Sequence, residues 1–180
     1  LVWDEYPNWG LDYANPQATE IYLSEWQEAM ERDFNSPAVI GWCPFNETWD
    51  IKGRKQYDDV LRIIYRVTKQ LDTTRPCIDT SGNFHVVTDI FDIHDYQQNV
   101  EIFKSHYETF NGNIGLRRES DCNRQFYKGE PFFNSEYGGI KWDAEETDDR
   151  HVSWGYGNTP KTEEEFIQRY KDLTEYLLNN

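Results

Sequence analysis

The 180-residue chain is 37% hydrophobic and 16% aromatic, enough to bury a core, and is most simply read as one domain. Its 33 acidic and 18 basic residues leave a net charge of −15, which repels phosphate backbones and anionic headgroups and argues against nucleic acid or a membrane surface as partner. No stretch approaches the roughly 20 apolar residues of a membrane span, and no basic segment followed by an apolar one opens the chain.

Leu1-Val2-Trp3 reads as the end of a strand, opening through Asp4-Glu5-Tyr6-Pro7 into a loop. A start there, without Met, is expected of a piece cut from something longer. Asn15 as cap and Pro16 in the first turn predict a helix whose buried face carries Tyr22, Trp26, Ala29 and Met30, stopped by Ser36-Pro37. Ala38 to Trp42 is a short apolar run, as in a buried strand of a parallel sheet. Val60, Leu61, Ile64, Val67 and Leu71 then recur at helical spacing until Thr73-Thr74-Arg75-Pro76. Strands are expected at Cys77–Asp79 and at Ile90–Ile93, the second delivering His94-Asp95-Tyr96 at its end. A short helix fits Val100 to Tyr107. Phe132 to Ser135 is a further strand, with Glu136 where it finishes. A long loop carries Trp142 and Trp154. Thr162 with Glu165 forms a capping box for a last helix with Phe166, Tyr170, Leu173 and Leu177 on one face.

Strands alternating with helices imply right-handed βαβ units and a parallel sheet. No glycine-rich phosphate loop opens a helix, and polar candidates follow several different strands, as in a (β/α)8 barrel. A whole barrel takes roughly 250 residues, so the expectation is a partial one. Cys43, Cys77 and Cys122 are odd in number and show no metal pattern, which predicts reduced, buried thiols.

Two segments carry the chemistry. Trp42-Cys43-Pro44-Phe45-Asn46-Glu47 and Phe132-Phe133-Asn134-Ser135-Glu136-Tyr137-Gly138-Gly139 are apolar runs that each reach a glutamate, and two acids on separate rigid supports are what glycoside hydrolysis requires. The interval between the glutamates fits about two strand-helix units. At Asn46-Glu47 and Ser135-Glu136-Tyr137-Gly138 the chain resembles the catalytic barrel of glycoside hydrolase family 2, the family of β-galactosidases, β-glucuronidases and β-mannosidases. Val2-Trp3-Asp4-Glu5-Tyr6-Pro7, Asn35 to Ile40, Asp72 to Pro76 and His94-Asp95-Tyr96 resemble that family in the same order.

The resemblance implies an incomplete (β/α)8 barrel over residues 1–180, from the end of the third strand to the seventh helix. It also implies a retaining β-glycosidase with a carbohydrate substrate and no cofactor or metal. Glu47 corresponds to the general acid/base, Asn46 to the neighbour that binds the sugar 2-hydroxyl, and Glu136 to the nucleophile. His94 and Tyr96 would position the sugar or Glu136, and Trp142 or Trp154 would floor the sugar site. The Asn-x-Lys signature of β-glucuronidases is not evident, and −15 does not favour a carboxylated sugar, which leaves neutral, galactoside-like substrates.

Blander readings stand beside these. Asn46 alone would be a turn or cap residue. His94, Asp95 and Asp92 could form a metal pair or triad, giving a metal-dependent hydrolase instead. His85, His106 and His151 read as surface or satisfied structural residues, and Trp3, Trp26 and Trp42 as core. An excised barrel segment could also be a catalytically silent folding or binding unit, self-associating through unpaired sheet edges.

Overall fold

The computed structural model describes residues 1–48, 56–108, 125, 127–143 and 153–179. Strand β1 (Val2–Glu5) leads to helix α1 (Pro16–Asp33), strand β2 (Val39–Cys43) and helix α2 (Asp58–Leu71). Strand β3 (Phe91–Asp95), helix α3 (Val100–Glu108), strand β4 (Phe132–Tyr137) and helix α4 (Glu163–Asn179) follow. β1 pairs with β2 and β3 with β4, both in parallel, so the expected α/β alternation with parallel strands is what the chain forms.

Helix boundaries follow local chemistry. The Asn15 side chain accepts the Gln17 N–H, capping α1 behind Pro16. At α4 the Thr162 hydroxyl accepts the Glu165 N–H, while the Glu165 carboxylate turns back to the Lys161 N–H instead of that of Thr162, a capping box displaced by one residue. α2 buries Leu61, Ile64 and Thr68, whereas Leu71 at its end is 37% exposed. α4 buries Leu173 and leaves Tyr170 exposed, a narrower apolar face than the periodicity implies.

The expected strand at Cys77–Asp79 forms isolated parallel bridges to β2 and its extension, Trp42 with Cys77 and Asn46 with Ser81, and no continuous ladder. The reason lies on its far side, where aspartates take the backbone donors a ladder would use. Asp89 accepts the Cys77 N–H, Asp79 those of Thr80, Val86 and Val87, and Asp92 that of Gly82.

The main core lies where α1 and α2 cover β2: Tyr22, Trp26, Ala29, Met30, Val39, Trp42, Phe45, Leu61, Ile64 and Cys77. Its two tryptophans are fully buried, and each finds an acceptor, Trp26 at Thr68 Oγ1 (2.8 Å) and Trp42 at Asp72 Oδ2 (2.9 Å). Trp3 is partly buried over Gly41, where a Cβ would lie 2.1 Å from its ring, and its ring centroid is 6.1 Å from that of Phe133. Cys43 and Cys77 are buried free thiols, as expected; Cys122 lies outside the described residues.

Candidate active site

Asn46 and Glu47 follow β2, and their backbone is held from three sides. The Asn8 amide accepts the Asn46 N–H at 2.7 Å and donates to the Asn46 carbonyl at 2.9 Å. The Glu47 N–H donates to the Ser81 carbonyl at 2.9 Å. Buried Thr48 is fixed by Thr80, Gln56 and Asn83. This clamp holds Glu47 at φ 48°, the left-handed region that a glutamate enters only at a cost of about 1–2 kcal/mol, and no other non-glycine among the described residues does so. The Asn46 Oδ1 atom is left buried without a partner among the described residues.

Glu136 comes from β4 and His94 from β3, adjacent in the β3–β4 register. His94 stands between the two acids: Nδ1 is 2.9 Å from Glu47 Oε1 and Nε2 is 3.4 Å from Glu136 Oε1. One ring nitrogen of His94 and one carboxylate oxygen from each glutamate all lie within 4.8 Å of one another. Tyr96 donates its phenol to Glu136 Oε2. The sequence-selected residues Asn46, Glu47, His94, Tyr96 and Glu136 are thus brought together. Burial alone would lower the imidazole of His94, but its hydrogen bond to the Glu47 carboxylate and the charges of Asp92 and Glu136 outweigh it and raise it.

The tryptophans divide. Trp142 stacks on Phe166 of α4 at 5.8 Å, so its described ring contact is with a helix and not with either acid; aromatic burial on a neighbouring helix wins over display in the site. Trp154 is 81% exposed and meets Tyr156 edge-on at 5.3 Å, and Tyr156 in turn stacks on Tyr96 at 3.9 Å. An aromatic path therefore leads from solvent to Glu136.

The triad of Asp92, His94 and Asp95 does not assemble. Along β3, Asp92 and His94 face the site, 4.0 Å apart at their nearest atoms. Asp95 faces α3, where His106 (2.8 Å) and the Tyr107 hydroxyl (3.0 Å) donate to it. Strand alternation turns neighbours to opposite faces. The spacing of Glu47, His94 and Glu136 would suit three ligands of a cation, but these atoms already engage one another, Tyr96 and Ser81, and we assign no metal there.

Several site residues carried no readable signal. Ser81, in a Ser-Gly-Asn strand breaker, places its hydroxyl 2.9 Å from His94 Nε2 and 3.0 Å from Asp92 Oδ2. His85 is a satisfied structural histidine, its Nδ1 2.7 Å from Asp79 Oδ1; His151 lies outside the described residues. Glu5, at the end of β1, is raised above the usual carboxylate range by burial and by the charge of Glu136. With Tyr6, Pro7, Asn8, Trp9 and Asn46 it lines a hollow of ≈ 320 Å³. Its Asp-Glu-Tyr-Pro context was a readable signal, since it belongs to the segments that resemble the family in order.

Comparison with known proteins fits this geometry. Residues 3–149 match the family model described as glycosyl hydrolases family 2, TIM barrel domain, and the chain belongs to that family. Among solved structures it is similar to a β-glucuronidase from an uncultured Clostridium species, with a TM-score of 0.64 at 18% identity, over 98% of this chain and 31% of that one. The chain thus spans about a third of that relative. A comparison with curated protein sequences found no match.

Proposed function

We propose that this chain is the part of a retaining β-glycosidase barrel that runs from the end of the third strand to the seventh helix, as a single incomplete domain. Glu136 is the nucleophile and Glu47 the general acid/base. The observation that carries this reading is the approach of a Glu47 oxygen to within 4.8 Å of a Glu136 oxygen, with His94 between them. Retaining enzymes hold their carboxyls about 5–5.5 Å apart, inverting ones about 6.5–9.5 Å.

In the first step a Glu136 oxygen attacks the anomeric carbon and the bond to the leaving oxygen breaks, that oxygen taking the proton of Glu47. In the second, water gives its proton to Glu47 and attacks the same carbon, and the ester bond to Glu136 breaks. The Tyr96 phenol steadies the Glu136 carboxylate in the attacking orientation. The buried, unpartnered Asn46 Oδ1 is an acceptor for a sugar hydroxyl, which costs least to leave unpaired if substrate fills it. Exposed Trp154 offers a face for the apolar side of a sugar ring. The Glu136 carboxylate and a chain of net charge −15 disfavour an acidic sugar, so the substrate is a neutral β-glycoside, a β-galactoside first.

The test is intact-mass analysis after incubation with 2-deoxy-2-fluoro-β-glycosyl fluorides of galactose, glucose, mannose and glucuronic acid, followed by peptide mapping. A one-sugar adduct on Glu136 is expected, with the galactosyl probe fastest, and Glu136→Gln abolishes it. An adduct on another residue overturns the assignment.

A second reading is favoured by the chain's span of 31% of its structural relative. In it the segment is a catalytically silent folding or binding unit that self-associates through unpaired strand edges. It predicts no adduct from any probe and a concentration-dependent elution volume in size-exclusion chromatography.

A further inference from the structure

Asp92 is buried behind the candidate site, and donors converge on it. Its Oδ1 accepts the Gly82 N–H at 3.0 Å and lies 3.3 Å from His85 Nε2. Its Oδ2 accepts the Ser81 hydroxyl at 3.0 Å and also the Ser135 hydroxyl. Burial disfavours a charge there, but His85 and the hydroxyl and amide donors hold the carboxyl below the usual range. An ionised carboxylate can only accept, so Asp92 Oδ2 is the acceptor that the Ser81 and Ser135 hydroxyls share, their own oxygens lying 3.2 Å apart.

A hydroxyl has a single proton. With its own given to Asp92, Ser81 Oγ presents a lone pair to His94 Nε2 at 2.9 Å. Nε2 also faces Glu136 Oε1 at 3.4 Å, a second acceptor. A bare Nε2 would there oppose two lone pairs; a protonated one donates. Nδ1 faces Glu47 Oε1 at 2.9 Å. Gly82 backs the ring, since a Cβ at that residue would lie 2.2 Å from Nδ1, and Tyr96 OH lies 3.5 Å from the same nitrogen.

We propose that Ser81 and Asp92 are positioning residues that pin a proton on His94 Nε2, so that Nδ1 is the single exchangeable position and is aimed at Glu47. The Glu47–His94 pair then holds one proton between Oε1 and Nδ1, while the Nε2–H stays directed at Glu136 and Ser81. Its catalytic meaning rests on the glycosidase reading of the two glutamates; the tautomer itself does not. Among the described residues, the charged and titratable groups around the ring include Glu47, Glu136, Asp92, Glu5 and Tyr96, with His85 and Asp79 behind Asp92.

The experiment is a pH series of long-range proton–nitrogen NMR spectra on the chain labelled with 15N-histidine, His94 being assigned by the signals lost in His94→Gln. Nε2 is expected to keep the shift of a protonated nitrogen throughout, while Nδ1 alone moves. A spectrum in which Nδ1 stays protonated and Nε2 moves overturns the proposal, whatever the variants do. Ser81→Ala, which changes no charge, is expected to make both nitrogens move as the tautomers mix, and Ser81→Thr to restore the original pattern. An unchanged pattern in Ser81→Ala also overturns it. An Nε2-pinned spectrum from a chain that takes no fluoroglycoside adduct removes the glycosidase reading and leaves this proposal standing; an Nδ1-pinned spectrum from a chain labelled on Glu136 does the reverse.

Discussion

The ring of Tyr156 lies flat on that of Tyr96, centroids 3.9 Å apart and planes 13° from parallel. Tyr96 is the residue whose phenol reaches Glu136, so a loop residue far along the chain braces the partner of a site acid. Gln98 extends the brace: its amide nitrogen donates to the Gly138 carbonyl at 3.1 Å and its oxygen accepts from Arg169 of α4 at 2.7 Å.

Tyr96→Phe keeps the stacked ring and removes only the hydroxyl. A hydrogen bond to a charged group is worth about 1.5–3 kcal/mol, so on the proposed glycosidase reading turnover is expected to fall about 10–100-fold with the fold intact. Tyr156→Ala should cost less, because the phenol remains and only its orientation loosens. Steady-state kinetics beside circular dichroism checks both; a Tyr96→Phe enzyme of unchanged rate would remove Tyr96 from the site's machinery.

The pair His85–Asp79, with Asp92 beside it, makes stability depend on pH. Burial opposes the charge on His85, but Asp79 and Asp92 outweigh it and raise the imidazole to about 10. The unfolded value is about 6.5, so between those limits the native state holds the extra proton. The stabilisation is therefore complete below about pH 6.5 and lost as pH rises toward 10. Urea midpoints should decline across that window, and in His85→Gln the decline should become shallower, the raised His94 still contributing its share. The lowered carboxyls of Asp72 and Asp92 act on the acid side, present above about pH 4 and lost as pH falls below it.

Thr68→Val exchanges a hydroxyl for a methyl of similar size and leaves the buried Trp26 indole N–H without its acceptor. The expected cost is about 1–3 kcal/mol, against about 3–5 kcal/mol for Trp26→Ala, which empties the core between α1 and β2. Denaturant titrations of the two variants should keep that order.

Gly82→Ala is expected to displace the His94 ring, since the added Cβ would lie 2.2 Å from it and the backbone sits at φ 65°. Turnover should drop further than in Tyr96→Phe, and His94 should lose its NMR signature of two fixed acceptors. A variant of normal rate and unchanged His94 signals would mean that the ring has another place to go.

The sequence announced what local chemistry controls. Asn15 and Pro16 mark the start of α1, Leu61 and Ile64 the buried face of α2, and apolar runs ending at Glu47 and Glu136 the two strand tips. What it could not announce depends on residues that meet only in space. Ser81 looks like a strand breaker until Asp92 and His94 arrive from β3. Cys77–Asp79 has the composition of a strand, yet Asp89 takes the Cys77 N–H from its far side. Trp142 and Trp154 were equivalent as loop aromatics; α4 covers one and not the other. Asp95 looked like a ligand beside His94 because adjacency in sequence hides the alternation of a strand.

The left-handed backbone of Glu47 sets the site against the rest of the molecule. A glycine or asparagine would occupy that conformation with less strain, so selection for thermal endurance alone would draw the position away from an acid. Laboratory evolution of this chain for heat resistance, run without a demand for turnover, should therefore discard Glu47 early.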